Sequence, residues 1–192
     1  GLTIRQNLVH DCKFSAFHQH YGRDNTVVNN IFANQIRVQL ESSSDEPHMQ
    51  FSYSSNIVYH TTGTMYGLRW DKSRINRHHN LYWYAGENPV RFGDKTLKQW
   101  QTASGSDIGS IEADPKFRDI PNGDYTPTNR RALKAIGFQP FDPSEAGVQG
   151  TAEWKARAAM ADEALLSFDK LVEYHEANPA PELPLPVVEP KR

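Results

Sequence analysis

Glu41 and Asp71 are the carboxylates best placed to do chemistry in this chain. Each closes a short alternating run, "Gln35-Ile36-Arg37-Val38-Gln39-Leu40-Glu41" and "Gly67-Leu68-Arg69-Trp70-Asp71". If the runs are neighbouring strands, the two carboxyls sit at the same end, roughly 5 Å apart. That is the separation of a retaining glycosidase, whereas an inverting one needs about 6.5–9.5 Å. The competing assignment pairs each carboxylate with Arg37 or Arg69. His18 and His20 stand two apart and share a face of one strand, where His20 could act as a general acid or base or touch substrate. A metal pair at the two histidines lacks a third ligand nearby in sequence. The outward set of these runs is His18, His20, Arg37, Gln39, Glu41, Arg69, Asp71 and Arg91, with Phe17, Ile36, Val38, Leu40, Leu68, Trp70, Val90 and Phe92 facing in. The planar donors of Arg and Gln suit sugar hydroxyls and carboxylates, so His18, Arg37, Gln39, Arg69 and Arg91 are candidate substrate contacts. Tyr21 joins them as a ring that could stack on sugar, although aromatics serve cores more often.

The elements that must hold these residues announce themselves as a repeat. Asn7-Leu8-Val9, Asn30-Ile31-Phe32, Asn56-Ile57-Val58 and Asn80-Leu81-Tyr82 recur at spacings of 23, 26 and 24 residues. Such a period means one small unit stacked on copies of itself. It is too short for a helix–strand pair with turns, and it suits a coil of three short strands. Stacking would place each Asn above the last, where side-chain amides bond in a ladder. Five residues before the Asn stand Leu2, Asn25, Phe51 and Ile75, and three before it Ile4, Val27, Tyr53 and Arg77. These rows and the residue after the Asn are mostly apolar, as for strands with one face inward. Asn25 and Arg77 break the pattern and predict a register slip or a bulge. One outward residue per coil then forms a continuous row, with coils ~4.8 Å apart.

The expected architecture is all-β: a right-handed parallel β-helix over 1–93, an irregular closing segment over 94–150, one long amphipathic helix over 151–176 and a proline-rich extended tail over 177–192. The helix carries Trp154, Ala158, Ala161, Leu165, Phe168 and Val172 on one side, which predicts packing on the solenoid. Leu97 to Gln101 predicts a helical turn, and Arg131 to Ile136 a brief helix stopped by Gly137.

With 21 basic and 23 acidic side chains the formal charge is −2, so electrostatics make no case for nucleic acid or an anionic membrane. Cys12 is the sole cysteine, which excludes an internal disulfide and a thiolate metal cluster. The opening run "GLTIRQN" reads as the middle of a coil. A bare solenoid end exposes core and strand edges. The expected partner of that end is an N-terminal β-helix portion of the same parent protein, or a companion chain.

"SIEADPKF", "NGDYTP" and "ALKAIGFQPFDPSEAG", preceded by "HQHYGRDNTVVNNIFA" and "HMQFSYSSNIVYH", resemble the C-terminal part of right-handed parallel β-helix proteins of the pectate-lyase-like superfamily, over residues 1–150. "Thr128-Asn129-Arg130-Arg131-Ala132" departs from the Ser-Pro-Ala-like turn of that group. The resemblance implies a secreted or periplasmic polysaccharide-degrading enzyme, glycoside-hydrolase-like, needing no cofactor and acting on a polysaccharide or oligosaccharide. It does not place the family's catalytic residues on this chain. Two alternatives stay open. One is a polysaccharide lyase on uronate-containing glycans, for which Ca²⁺ would be the cofactor and Arg would neutralise the uronate. The other is a non-catalytic carbohydrate-binding or structural β-helix, which would favour Ser, Thr and Asn along its rows.

Overall fold

The computed structural model describes residues 1–144, 146–159, 170, 173, 174 and 177. The chain divides into two units, 1–144 and 145–192. The first is a parallel β-helix of three sheets. Sheet A stacks β1 (Thr3–Arg5), β4 (Asn25–Val28), β7 (Phe51–Ser54) and β10 (Ile75–His78). Sheet B stacks β2 (Leu8–His10), β5 (Ile31–Ala33), β8 (Ile57–His60), β11 (Leu81–Tyr84) and β14 (Ile111–Glu112). Sheet C has three strands, β3 (Phe17–Gln19), β6 (Val38–Ser42) and β9 (Thr64–Leu68). All three sheets are parallel throughout.

The repeated Asn marks the corner between sheets A and B. The residue before each copy, Gln6, Asn29, Ser55 and His79, has φ between 51° and 59°. This left-handed step bends the chain between strands. It also turns the Asn side chain against the coil beside it. Asn7 Nδ2 donates to Asn30 Oδ1 at 2.9 Å, Asn30 Nδ2 to Asn56 Oδ1 at 3.0 Å and Asn56 Nδ2 to Asn80 Oδ1 at 3.2 Å. Each accepting oxygen also takes the backbone N–H of the same neighbour. Buried corner amides are thereby satisfied at every coil, which low-dielectric surroundings demand.

The predicted rows hold without a slip: Asn25 pairs Phe51, and Tyr53 pairs Arg77. Arg77 stays in its row and is buried. Its guanidinium lies 5.2 Å from the Trp70 ring and 5.7 Å from the Trp100 ring, and it donates to Trp70 O and Ser106 Oγ. The residue after each Asn does not face the bore as expected. Ile31, Ile57 and Leu81 pack outward against Tyr125, Leu133 and Ile136, while Phe32, Val58 and Tyr82 fill the interior. Strands β5 and β8 of sheet B are buried on both faces, which explains why 31–33 and 57–59 read as unbroken apolar runs.

The closing segment supplies that outer cover. It contains β15 (Phe117–Asp119), the turn Ile120–Asn122, β16 (Asp124–Pro127) and α2 (Arg130–Ile136), stopped by Gly137 at φ 70°. Helix α1 (Leu97–Ser104) starts at a capping box of Thr96 and Gln99 and buries Leu97 and Trp100 in the interior core. In the second unit α3 spans Ala152–Ala158, capped by Thr151, and its residues are exposed. The rest of the expected 151–176 helix lies mostly outside the described residues, as does the tail apart from Ala177. No described helix is long and apolar enough to cross a membrane.

Candidate functional site

The third sheet stops one coil early, and the candidate site lies where it stops. The run Pro89-Val90-Arg91-Phe92 was expected to add a fourth strand. It forms β12 (Arg91–Phe92) instead, paired antiparallel with β13 (Lys95–Thr96). Val90 and Phe92 are buried as expected, and the Phe92 ring packs 6.2 Å from Tyr66 of β9. Arg91 is therefore out of line with Arg69, contrary to the ladder reading.

Between β9 and this returning segment lies a cavity of about 450 Å³, lined by residues of 63–66, by Asn88, Pro89, Arg91 and Gly93, and by His60 and Tyr84 from the ends of β8 and β11. That volume falls in the ~300–1,000 Å³ range of small-ligand pockets. Two of its wall positions need glycine. Gly63 has φ 72°, and a Cβ there would meet the carbonyls of Ile36 and Arg37 at 2.8 Å. Gly93 has φ 63°, and a Cβ would stand 3.3 Å from the Tyr66 hydroxyl.

His60 is the buried titratable group of the wall, 4% exposed. Its Nδ1 lies 3.0 Å from the Thr62 carbonyl. A carbonyl can only accept, so Nδ1 carries the proton and Nε2 presents a lone pair. Nε2 is buried with no protein partner among the described residues. Burial pushes the His60 pKa down, partly offset by the bond to Thr62. The Tyr84 ring sits 4.9 Å from the imidazole. Burial, then the Asp71 carboxylate, raises the pKa of Tyr66, keeping its hydroxyl protonated as a donor.

The residues expected to form the site fall into three groups. On sheet C, His18 pairs Glu41, and Glu41 pairs Gly67. His18 is exposed, and its Nε2 lies 2.5 Å from Ser43 Oγ. Glu41 is half-buried and accepts from Ser15 Oγ at 2.8 Å. Gly67 lets that carboxylate lie close against β9, since a Cβ there would stand only 3.3 Å from Glu41 Oε1. Next to this row, His20 is exposed and lies edge-on to Tyr21, 69% exposed, at 4.5 Å.

Asp71 does not stand across from Glu41. Strand β9 ends at Leu68, and Asp71 follows in an exposed turn closed by bonds from the Lys72 and Ser73 amides to Arg69 O. Leu68, expected inside, is 40% exposed with φ 55°, because the chain turns there. Arg69 is half-buried at the same turn. Arg37 stands before β6 with its guanidinium 5.2 Å from the Phe14 ring rather than on Glu41.

Gln39 is the clear correction. It is fully buried, not outward. Its Oε1 accepts from the Gln35 amide at 3.1 Å, and its Nε2 donates to Gln35 O and Thr62 O. Gln35 Oε1 in turn accepts from the Cys12 amide. Gln35 and Gln39 thus serve the corner between sheets B and C, and Gln39 is spent on backbone rather than ligand.

Sequence reasoning passed over His60, Tyr66 and Asn88. A signal existed for His60, a histidine at the end of an otherwise apolar strand. Among the described residues, no group of three or more His, Cys, Asp or Glu is placed to hold a metal ion. Comparison with family models, with curated proteins and with solved structures gives no match.

Proposed function

We propose that this chain is the carbohydrate-binding part of a polysaccharide-degrading β-helix enzyme, a glycoside hydrolase. The observation that carries the reading is the cavity beside β9. It combines two tyrosines, an arginine, an asparagine and a histidine in one wall. Rings of this kind stack on the apolar faces of sugars while the polar groups meet hydroxyls, the mix expected of a small-ligand site. Glu41, half-buried on the adjoining face, is the carboxylate that would protonate a glycosidic oxygen. His18, His20 and Tyr21 extend that polar face away from the cavity.

The test is a panel of neutral and uronate-containing polysaccharides incubated with the full-length protein and with Glu41→Ala, Asp71→Ala and His20→Ala. New reducing ends without unsaturated sugar, lost in Glu41→Ala, are the expected result. Unsaturated product would make the protein a lyase. Activity equal in all three variants would remove catalysis from this face and leave it a binding surface.

A further inference from the structure

We propose a second reactive centre on the outer face of sheet C: a serine nucleophile, Ser43, with His18 as its base, acting on O-acyl esters. The inference stands apart from the glycosidase reading, because the chemistry needs no sugar. Its basis is one hydrogen bond and the way the coils hold both partners. His18 Nε2 lies 2.5 Å from Ser43 Oγ, the nucleophile–base contact through which a hydroxyl is activated. The two residues are 25 apart in sequence and meet because β3 and β6 stack. The Ser43 amide donates to Gln19 O at 2.9 Å, which carries the β3–β6 pairing one residue past β6. Both neighbours of Ser43 are anchored. Ser42 is buried and its hydroxyl accepts from Ser73 Oγ at 2.9 Å. Ser44 O accepts from Gln50 Nε2 at 2.7 Å and from Ser73 Oγ at 2.9 Å. Ser43 itself is half-buried and His18 exposed, so the pair meets solvent rather than the core.

With Nε2 accepting from the Ser43 hydroxyl, the neutral imidazole carries its own proton on Nδ1. Ser43 Oγ adds to an ester carbonyl while its proton passes to His18 Nε2. Collapse of the tetrahedral adduct breaks the bond to the alcohol, which leaves with that proton, and the acyl group stays on Ser43. Water then repeats the sequence: His18 takes its proton, the acid departs and Ser43 regains its hydrogen. The carbonyl oxygen needs donors as it gains charge. The backbone amides of Ser44 and Asp45 make no hydrogen bond among the described residues, and in α/β-hydrolases the amide after the nucleophilic serine fills this role. Glu41 pairs His18 in register on the same face, one strand spacing of ~4.8 Å away. A carboxylate thus stands beside the imidazolium formed in each half-reaction.

The experiment treats the full chain, Ser43→Ala and His18→Gln with diisopropyl fluorophosphate and locates the label by peptide mass spectrometry. Hydrolysis of 4-nitrophenyl acetate is the second readout. An activated serine displaces fluoride from phosphorus and keeps the phosphoryl group, whereas an ordinary surface serine does not react. Near-stoichiometric label on Ser43 is the expected result, absent in Ser43→Ala and slowed at least about 100-fold in His18→Gln, the loss of a general base. Ester hydrolysis should fall in parallel in both variants. An unlabelled Ser43 in the unaltered chain overturns the proposal, as does labelling at the same rate with and without His18. Either result leaves the contact as a structural hydrogen bond between β3 and the turn after β6, and leaves the carbohydrate reading standing.

Discussion

The corner between sheets A and B and the far edge of sheet C are built on opposite rules. At the corner, each coil repeats the residue of the coil before it, because each Asn oxygen accepts from the backbone and side-chain amides of the Asn one coil away. At the edge of β9 the repeat is abandoned, and the freed space becomes a walled cavity. The first region is stable because it is periodic. The second has room for chemistry because it is not. The ladder itself must also end, and it does so at Asp107 and Ser110. Ser110 Oγ accepts from the Asn80 amide at 2.9 Å. Asp107 Oδ1 accepts from Tyr82 at 2.8 Å and from Ser110 at 3.0 Å, and Oδ2 from Trp100 Nε1 at 2.9 Å. A buried carboxylate with several donors closes the column where no further Asn follows.

The largest effect is expected at that terminus. Asp107→Ala strands three buried donors and removes the charge that favours the buried Arg77 guanidinium, whose pKa is already lowered by burial. At ~1 kcal/mol or more per orphaned donor, the loss should be at least about 3 kcal/mol in urea unfolding. Next comes Asn56→Ala inside the ladder, which orphans the Asn30 backbone amide, while the Asn30 side chain keeps its bonds to Ile4 O and Val28 O. This should cost roughly 1–3 kcal/mol. Asn7→Ala, at the exposed end of the same ladder, should cost only about 0.5–1.5 kcal/mol. Equal losses for Asn7 and Asn56 would mean that burial does not set the ladder's value.

The cavity side responds to pH instead. The folded-state pKa of His60 lies below its unfolded value. The unfolded chain therefore binds a proton that the folded chain does not, and stability falls as pH drops below about 6.5. Above that pH the group contributes nothing. His60→Asn preserves a donor toward Thr62 O but cannot titrate, so its unfolding curve should lack this part of the pH dependence. An unchanged pH profile in the variant would show that His60 protonates freely in the folded state. The smallest effect belongs to Arg91→Ala, an exposed position expected to shift stability by no more than about 0.5 kcal/mol. A larger shift would make Arg91 a structural part of the hairpin.

The same contrast governs what the sequence disclosed. The four Asn copies were visible because every coil needs the same residue type at the same phase, and with them came the parallel coils and their rows. Gln39 was misplaced because strand alternation puts it outward, whereas corner bonding to Gln35 and Thr62 draws it in. Ile31 and its row were misplaced because the left-handed residue before each Asn resets which side faces the bore. Arg77 looked like a slipped register, and the Trp70 and Trp100 rings together with the Asp107 charge explain why a cation holds that row. The cavity was hidden for a deeper reason. It forms from the failure of a repeat, and the residues of 85–93 still alternate as a strand would, with Val90 and Phe92 buried, while pairing with a different partner. Asp107, far along the chain from Asn80 and of another residue type, carries no periodic mark.

The most direct test of the central claim is to follow the backbone and ring resonances of the full chain by NMR during titration with the oligosaccharide panel. The account predicts shifts concentrated at His60, Tyr66, Tyr84, Asn88 and Arg91, spreading next to Gly67 and Glu41 and leaving the Asn corner unmoved. Saturable shifts confined to other surfaces, or none with any sugar, would contradict it.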